Sequence, residues 1–457
     1  GDSNLQAAER IIDAAKSKDK NRPMGAKNKL GQDAAIDLAQ MIDALNDPAK
    51  INQFTREAFK VTVFDMIREY WINALLSSPA THATNILSNT LTALWQVPET
   101  ALASTIGLFH GGEKVRVMET TARLAGLIEG TKDGLIAGWA TLKSGEPTDL
   151  MSKLDYHQKK AIPNWAGGAV IRTPGTLLMA EDEVFKAMNY RAELQALATR
   201  MALREKKKGA ALSARISELV ATPPRSMKKA AHEAAVYSTF QTKLGPIGSY
   251  VMGLREKIPG AYLIAPFIRT PANIMKYATE RTPLGIFLMQ SVRDNLSGKN
   301  GNVARDTQIA RLALGSAIAA VVASYVMAGM ISGSGPDDPD ERNVLRAAGW
   351  QPYSVKIGGV WYSYQRFDPF ALIVGVTADM VELGEAIGEA DAGKIGAMII
   401  SSISGNLLDK TWLNGPSDFI AAIQDPKRYG DQYIRRFAGS VVPALFSKIN
   451  QTYFDPV

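Results

Sequence analysis

With 457 residues, 46% hydrophobic, 21% charged and a net charge of +7, the chain is long enough for two or three ordinary domains and can bury a core. The absence of Cys excludes disulfides, thiolate zinc sites and thiol nucleophiles. A pI near 9.2 points to anionic partners, lipid headgroups or nucleic acid, without choosing between them.

The chain begins Gly1-Asp2-Ser3-Asn4, without an initiator Met and without a visible signal peptide, and is expected to be a fragment, a processed product or the ordered portion of something longer. Residues 3–75 read as three helices. Leu5, Ala8, Ile12 and Ala15 recur at helical spacing behind Ser3, a suitable N-cap. A Lys-rich linker from Lys16 to Gly31 leads to a second helix from Asp33, ending near Asn46-Asp47-Pro48. The third runs from about Gln53 to Leu76, before Pro79.

From Ala83 to Phe109 the only charge is Glu99. Pro98 removes a backbone donor and clashes with the preceding turn, so two short helices are expected there. A membrane hairpin and an apolar core hairpin share this pattern. Lys114 to Lys143 reads as an amphipathic helix in which Gly126, Gly130, Gly134 and Gly138 follow one face. That face permits close helix–helix approach, in a membrane or in a soluble bundle.

A long charged helix is expected from Glu181 to Lys208, with Glu181-Asp182-Glu183 at its start, where the helix dipole favours acids. Between Arg200 and Lys229 nine basic residues face only Glu205 and Glu218. Arg200, Arg204, Lys206, Lys207, Lys208 and Arg215 form a candidate patch for an anionic partner, though a charge run is usually a solvated face. Three Arg-Thr-Pro triplets, at 172–174, 269–271 and 281–283, are read as helix starts rather than sites.

Leu312 to Ile331 is a run of 20 uncharged residues. As a helix it would span about 30 Å, the thickness of a bilayer's hydrocarbon core. The candidate membrane helix is marked by Leu312, Gly315, Ala319, Ala323, Tyr325 and Ile331, with small residues on one face and Arg305 and Arg311 at one end. A buried helix of a large soluble bundle would read the same way. Tyr353 to Tyr364 alternates around Gly358-Gly359 and predicts a β-hairpin. Two short apolar segments, Phe370–Leu383 and Ile395–Leu408, read as interfacial or re-entrant helices. Trp350, Trp361 and Trp412 suit a membrane–water boundary or a core.

No phosphate-cradling loop, GxSxG elbow or HExxH motif is present. The four histidines, His82, His110, His157 and His232, include no i, i+4 pair and are read as surface or packing residues. The acidic triplet is explained by helix capping without catalysis. No enzyme activity, cofactor or metal site is expected.

Several strings carry a resemblance: Trp71 to Thr90, Arg172 to Lys186 with Tyr190 to Leu194, Ala265 to Pro283, Tyr353 to Met380, and Tyr429 to Val457. From about residue 60 onward the sequence resembles the carboxy-terminal region of the large internal virion proteins of short-tailed bacteriophages, the ejection proteins, and a large polyvalent protein associated domain. The resemblance implies packaging inside the capsid and release ahead of the genome. It further implies assembly into a conduit through the periplasm and inner membrane. The implied partners are copies of itself, other virion ejection proteins, host membrane lipid and the phage DNA passing through. No catalytic residue is carried over.

The sequence thus predicts a mainly α fold: a multi-helix bundle with Pro/Gly-broken apolar helices, at least one candidate transmembrane helix and one small β-hairpin. Five regions are expected: N-terminal amphipathic helices (1–78), an apolar and Gly-rich helical region (79–180), a charged helical region (181–300), the candidate transmembrane helix with an acidic linker (301–345), and a hairpin with short apolar helices (346–457). The expected function is a structural subunit of a genome-ejection apparatus. The alternatives are a soluble inner-core protein stacked on the portal, and a nucleic-acid-binding, non-catalytic segment of a large virion enzyme.

Overall fold

The computed structural model describes residues 62–147, 160–257, 267–336 and 338–387. The first two expected helices, their linker, the 395–408 segment, Trp412, His157 and the Tyr429–Val457 string lie outside the described residues. Within them the chain is helical apart from one two-stranded hairpin.

Helix α1 is Val63–Leu76. It starts later than Gln53 because Thr62 is extended and caps it: the Asp65 N–H donates to Thr62 Oγ1 at 3.1 Å, and the Thr62 N–H donates to Asp65 at 3.0 Å. Helix α2, Pro79–Ile106, begins on a proline that needs no partner for its missing N–H. It is unbroken, with Pro98 inside it, so the expected pair of short helices is one long helix. Packing on several neighbouring helices offsets the one lost hydrogen bond, and Glu99, the next residue, is anchored in a buried ion cluster.

Helix α3, Val117–Ser144, ends at Gly145, whose φ of +67° closes the helix in the left-handed conformation. After α4, Gly168–Ile171, comes α5, Thr173–Arg204, the central helix of this half, which packs on α1, α2 and α3. It starts before Glu181, at the Thr173-Pro174 pair, which places the acidic triplet inside the helix and not at its cap.

Helices α6, Gly209–Ala221, and α7, Arg225–Ser238, fold back on the second half of α5. Leu194, Ala198, Ala202, Leu212, Leu219 and Met227 share the core there. Next are α8, Pro246–Lys257, α9, Arg269–Thr279, and the short helices α10, Leu284–Leu288, and α11, Gln290–Leu296.

Helix α12, Asn302–Met327, packs on α2 and on the last described helix, α14, Phe370–Ile387. Between these lie α13, Pro339–Ala347, and the strands β1, Ser354–Ile357, and β2, Val360–Ser363. The strands are antiparallel with Ile357 opposite Val360. Gly358 and Gly359 carry φ of +59° and +87°, the conformation a two-residue hairpin turn needs. The expected hairpin is present.

Candidate membrane helix, charge clusters and basic patch

The 20-residue uncharged run coincides with a helix only in part. Asn302–Met327 is long and apolar enough to cross a membrane by length and composition, with a mean hydropathy of 1.8 over its most apolar window. Only 22% of that window is buried inside the protein. The helix starts ten residues before Leu312 and ends before Ile331. Its uncharged part, Leu312 to Met327, covers about 24 Å at 1.5 Å per residue. Beyond it Gly329 turns the chain, and Ile331 pairs with Val355 beside the hairpin.

The two halves of α12 differ. In the first, Asp306, Gln308, Ala310 and Gly315 are buried. The His110 ring lies 2.8 Å from Asp306, and Gln308 donates to the Glu280 carbonyl at 2.7 Å. Arg311, expected at a membrane flank, instead turns inward to Glu99 at 3.3 Å and Glu280 at 3.9 Å. In the second half Val322 and Val326 pack on Ala378 of α14, while Ala320, Val321, Tyr325 and Met327 are exposed. Leu312, Ala319 and Ala323 are half-buried.

The small-residue face is used within the chain at Gly315. A Cβ there would sit 1.7 Å from the Arg281 carbonyl oxygen, so only glycine lets the helix approach this turn. The glycine seam of α3 works the same way at larger scale. Cβ atoms at Gly126, Gly130 and Gly134 would lie 2.6, 2.8 and 2.6 Å from backbone atoms of Ala192, Met188 and Val184 on α5. Both series step by four residues, so the α5 backbone runs along the groove that the glycine row leaves on α3.

Around this seam runs a chain of buried polar contacts. Arg172 donates to Glu69 at 2.8 Å, and the Glu181 carboxylate takes His82 and Asn85, each at 2.8 Å. Gln96 donates to Asn189 at 2.7 Å, and Arg123 meets both Gln96 and Glu193. Burial pushes the Glu193 carboxyl up, but Arg123, Arg200 and Arg311 together hold it below the usual range.

The densest cluster lies where α2, α7, α9 and α12 meet. Arg281 binds Glu99 through two nitrogens, at 2.7 and 3.0 Å, and is itself fully buried over the Tyr277 ring. Tyr237 donates to Glu280 and accepts from Arg281. Burial pushes the Tyr237 hydroxyl up to about 12, so it stays protonated at neutral pH. Two of the three Arg-Thr-Pro triplets therefore do more than start helices. Arg172 and Arg281 each reach a glutamate on a distant helix, and their recurrence was the one signal in the sequence that could have shown it.

The structure divides the basic patch. Arg200 pairs with buried Glu119, Arg204 with Glu113, and Arg215 with Glu205 and Glu218. Glu113, in the loop before α3, and Glu119, in its first turn, were invisible in a local count of charge. Lys206, Lys207 and Lys208 are exposed in the turn after α5 and form no ion pair among the described residues. Among the described residues no group of three His, Asp or Glu could hold a metal.

At the far end of α12 two carboxylates of α14 clasp the Gly333-Ser334-Gly335 turn. Glu382 accepts from the Gly333 and Gly335 N–H groups at 2.7 and 3.1 Å, and Asp379 accepts from Ser334 at 2.7 Å and from the Tyr353 hydroxyl at 3.2 Å. This ties α12, the hairpin and α14 together.

No protein-family model matches the sequence, and neither a curated protein nor a solved structure matches it.

Proposed function

We propose that this chain is a structural, non-catalytic subunit that self-assembles in or on a membrane and forms part of a conduit for a bacteriophage genome across the bacterial envelope. The observation that carries the membrane half is α12: its first half is pinned by polar side chains, and its second half is an apolar helix left open. Apolar area of that kind is stable only against lipid or another protein. Exposed large side chains extend well beyond it, including Phe64, Ile86, Leu94, Ile128 and Phe287. The genome-delivery half rests on the strings that resemble phage ejection proteins.

Flotation with liposomes containing anionic lipid tests the membrane half. The protein should float, and Ala320→Arg, at an exposed position of α12, should cut the floating fraction severalfold without loss of helix content. Unchanged flotation of that variant removes this helix from the membrane claim.

A second reading, a soluble inner-core virion protein stacked on the portal, is favoured by the polar anchoring of Asp306, Gln308 and Arg311. It requires ring assemblies in detergent-free buffer and no flotation. The nucleic-acid reading loses half of its patch to Glu113, Glu119, Glu205 and Glu218, and keeps Lys206–Lys208. Lys206–Lys208→Ala would weaken a salt-sensitive DNA affinity if it held.

A further inference from the structure

Helix α3 is inverted relative to an ordinary surface helix. Its polar and glycine residues, Glu119, Arg123, Gly126, Gly130 and Gly134, are buried against the rest of the protein. Its opposite side carries Leu124, Ile128, Leu135, Trp139 and Leu142, all exposed, with Ile128, Leu135 and Trp139 each at least 60% open. These positions are spaced four, seven, four and three residues apart, which holds them on one line, opposite Gly126 at the start of the seam and about 100° round the helix from Gly134 and Gly138 at its end. Ile136, also exposed, widens the line between Ile128 and Trp139 into an open apolar strip.

The charges on this line decide its partner. The acids nearest it, Glu129 and Asp133, point sideways toward Arg191 of α5. The charges beside the apolar residues are cations: Lys132, exposed one turn from both Ile128 and Leu135, and Lys143, which sits 5.2 Å over the Trp139 ring. Apolar side chains, a tryptophan at the edge and lysines that extend outward are what a helix lying in a bilayer interface presents. A second copy fits less well, because an α3 laid against this face about its midpoint would set two Lys132 ammonium groups against each other.

We propose that the outward face of α3 is a membrane-docking surface that lies in the plane of an anionic bilayer, with Trp139 at the headgroup level and Lys132 and Lys143 on acidic headgroups. This rests on the membrane reading above, and it assigns that reading a second and separate contact.

The test uses the full chain and vesicles of phosphatidylcholine with and without phosphatidylglycerol. Leu135→Glu/Trp139→Glu changes only exposed positions and should reduce binding to the anionic vesicles at least about tenfold. Lys132→Gln/Lys143→Gln should remove most of the preference for anionic vesicles, each lysine being worth about fivefold. Helix content by circular dichroism should be unchanged in both. If the first double variant binds like the unaltered protein while Ala320→Arg does not, the α3 proposal fails and the membrane reading stands. If the unaltered protein binds neither vesicle, both fail together. If the α3 variants change the oligomer size in buffer and leave vesicle binding intact, the face belongs to a second copy and the proposal is overturned.

Discussion

Single atoms set the spacing of the α3–α5 pair. At Gly134 an added methyl would meet the Val184 carbonyl oxygen at 2.6 Å, and the obstacle is backbone, which cannot swing aside. Gly134→Ala should therefore lower stability by about 1–3 kcal/mol through overpacking, although alanine is intrinsically the better helix former. Thermal unfolding measures this, and a stabilised variant would show that the helices are free to part. Arg281 gives a second prediction at this scale. Arg281→Met leaves Glu99 buried without its main cation and should cost about 3–5 kcal/mol, whereas Glu99→Leu/Arg281→Met should cost clearly less. Equal losses for the single and double variants would contradict the assignment. The glycine seam was legible because its period of four is written in one local stretch. The Glu99–Arg281 pair was not, since its members stand 182 positions apart and only folding makes them neighbours.

At the scale of elements, the hairpin and most helices were readable from periodicity and turn residues, and the misses have a common cause. Pro98 predicts a break, and the Glu181 triplet predicts a helix start, only if each segment acts alone. In the protein α2 stays continuous through Pro98 among the neighbours on which it packs, and the triplet is satisfied by His82, Asn85 and Lys186. Arg311 reads as a membrane flank in one dimension and is an inward-facing ion-pair partner in three. The clasp between α14 and the turn after α12 was invisible for the same reason, and it carries a pH dependence. Burial pushes the Asp379 carboxyl up from 3.8 to about 7; the Ser334 and Tyr353 hydrogen bonds oppose the shift, and the Glu382 charge adds to it. The folded protein thus holds this proton more tightly than the unfolded chain. The resulting stability is complete below the unfolded value and is lost as pH rises through 7. Urea unfolding should show stability falling from about pH 5 to pH 8, by up to about 1.4 kcal/mol per pH unit from this group. Asp379→Asn should flatten the profile. A stability that rises over that range, or a slope unchanged in the variant, would contradict the buried clasp.

For the whole molecule, composition foretold little beyond an absence of thiol chemistry, while the distribution of charge along the chain foretold more. Helices α3 and α12 have inner faces that carry ionic or glycine residues and outer faces with exposed apolar side chains, the reverse of a soluble helix in water. The expected basic face shrank once Glu113 and Glu119 folded onto it, so DNA contact has less support than lipid contact or self-association. Lys206–Lys208→Ala should accordingly leave vesicle flotation nearly unchanged, within about twofold, because these lysines belong to the turn after α5 and not to the α3 or α12 faces. A large loss would move the membrane contact to that turn.

Electron microscopy of the purified protein, alone and mixed with anionic vesicles, addresses the central claim most directly. The open apolar faces predict oligomers in buffer and protein assemblies seated in the bilayer when vesicles are present. Dispersed monomers beside bare vesicles would contradict it.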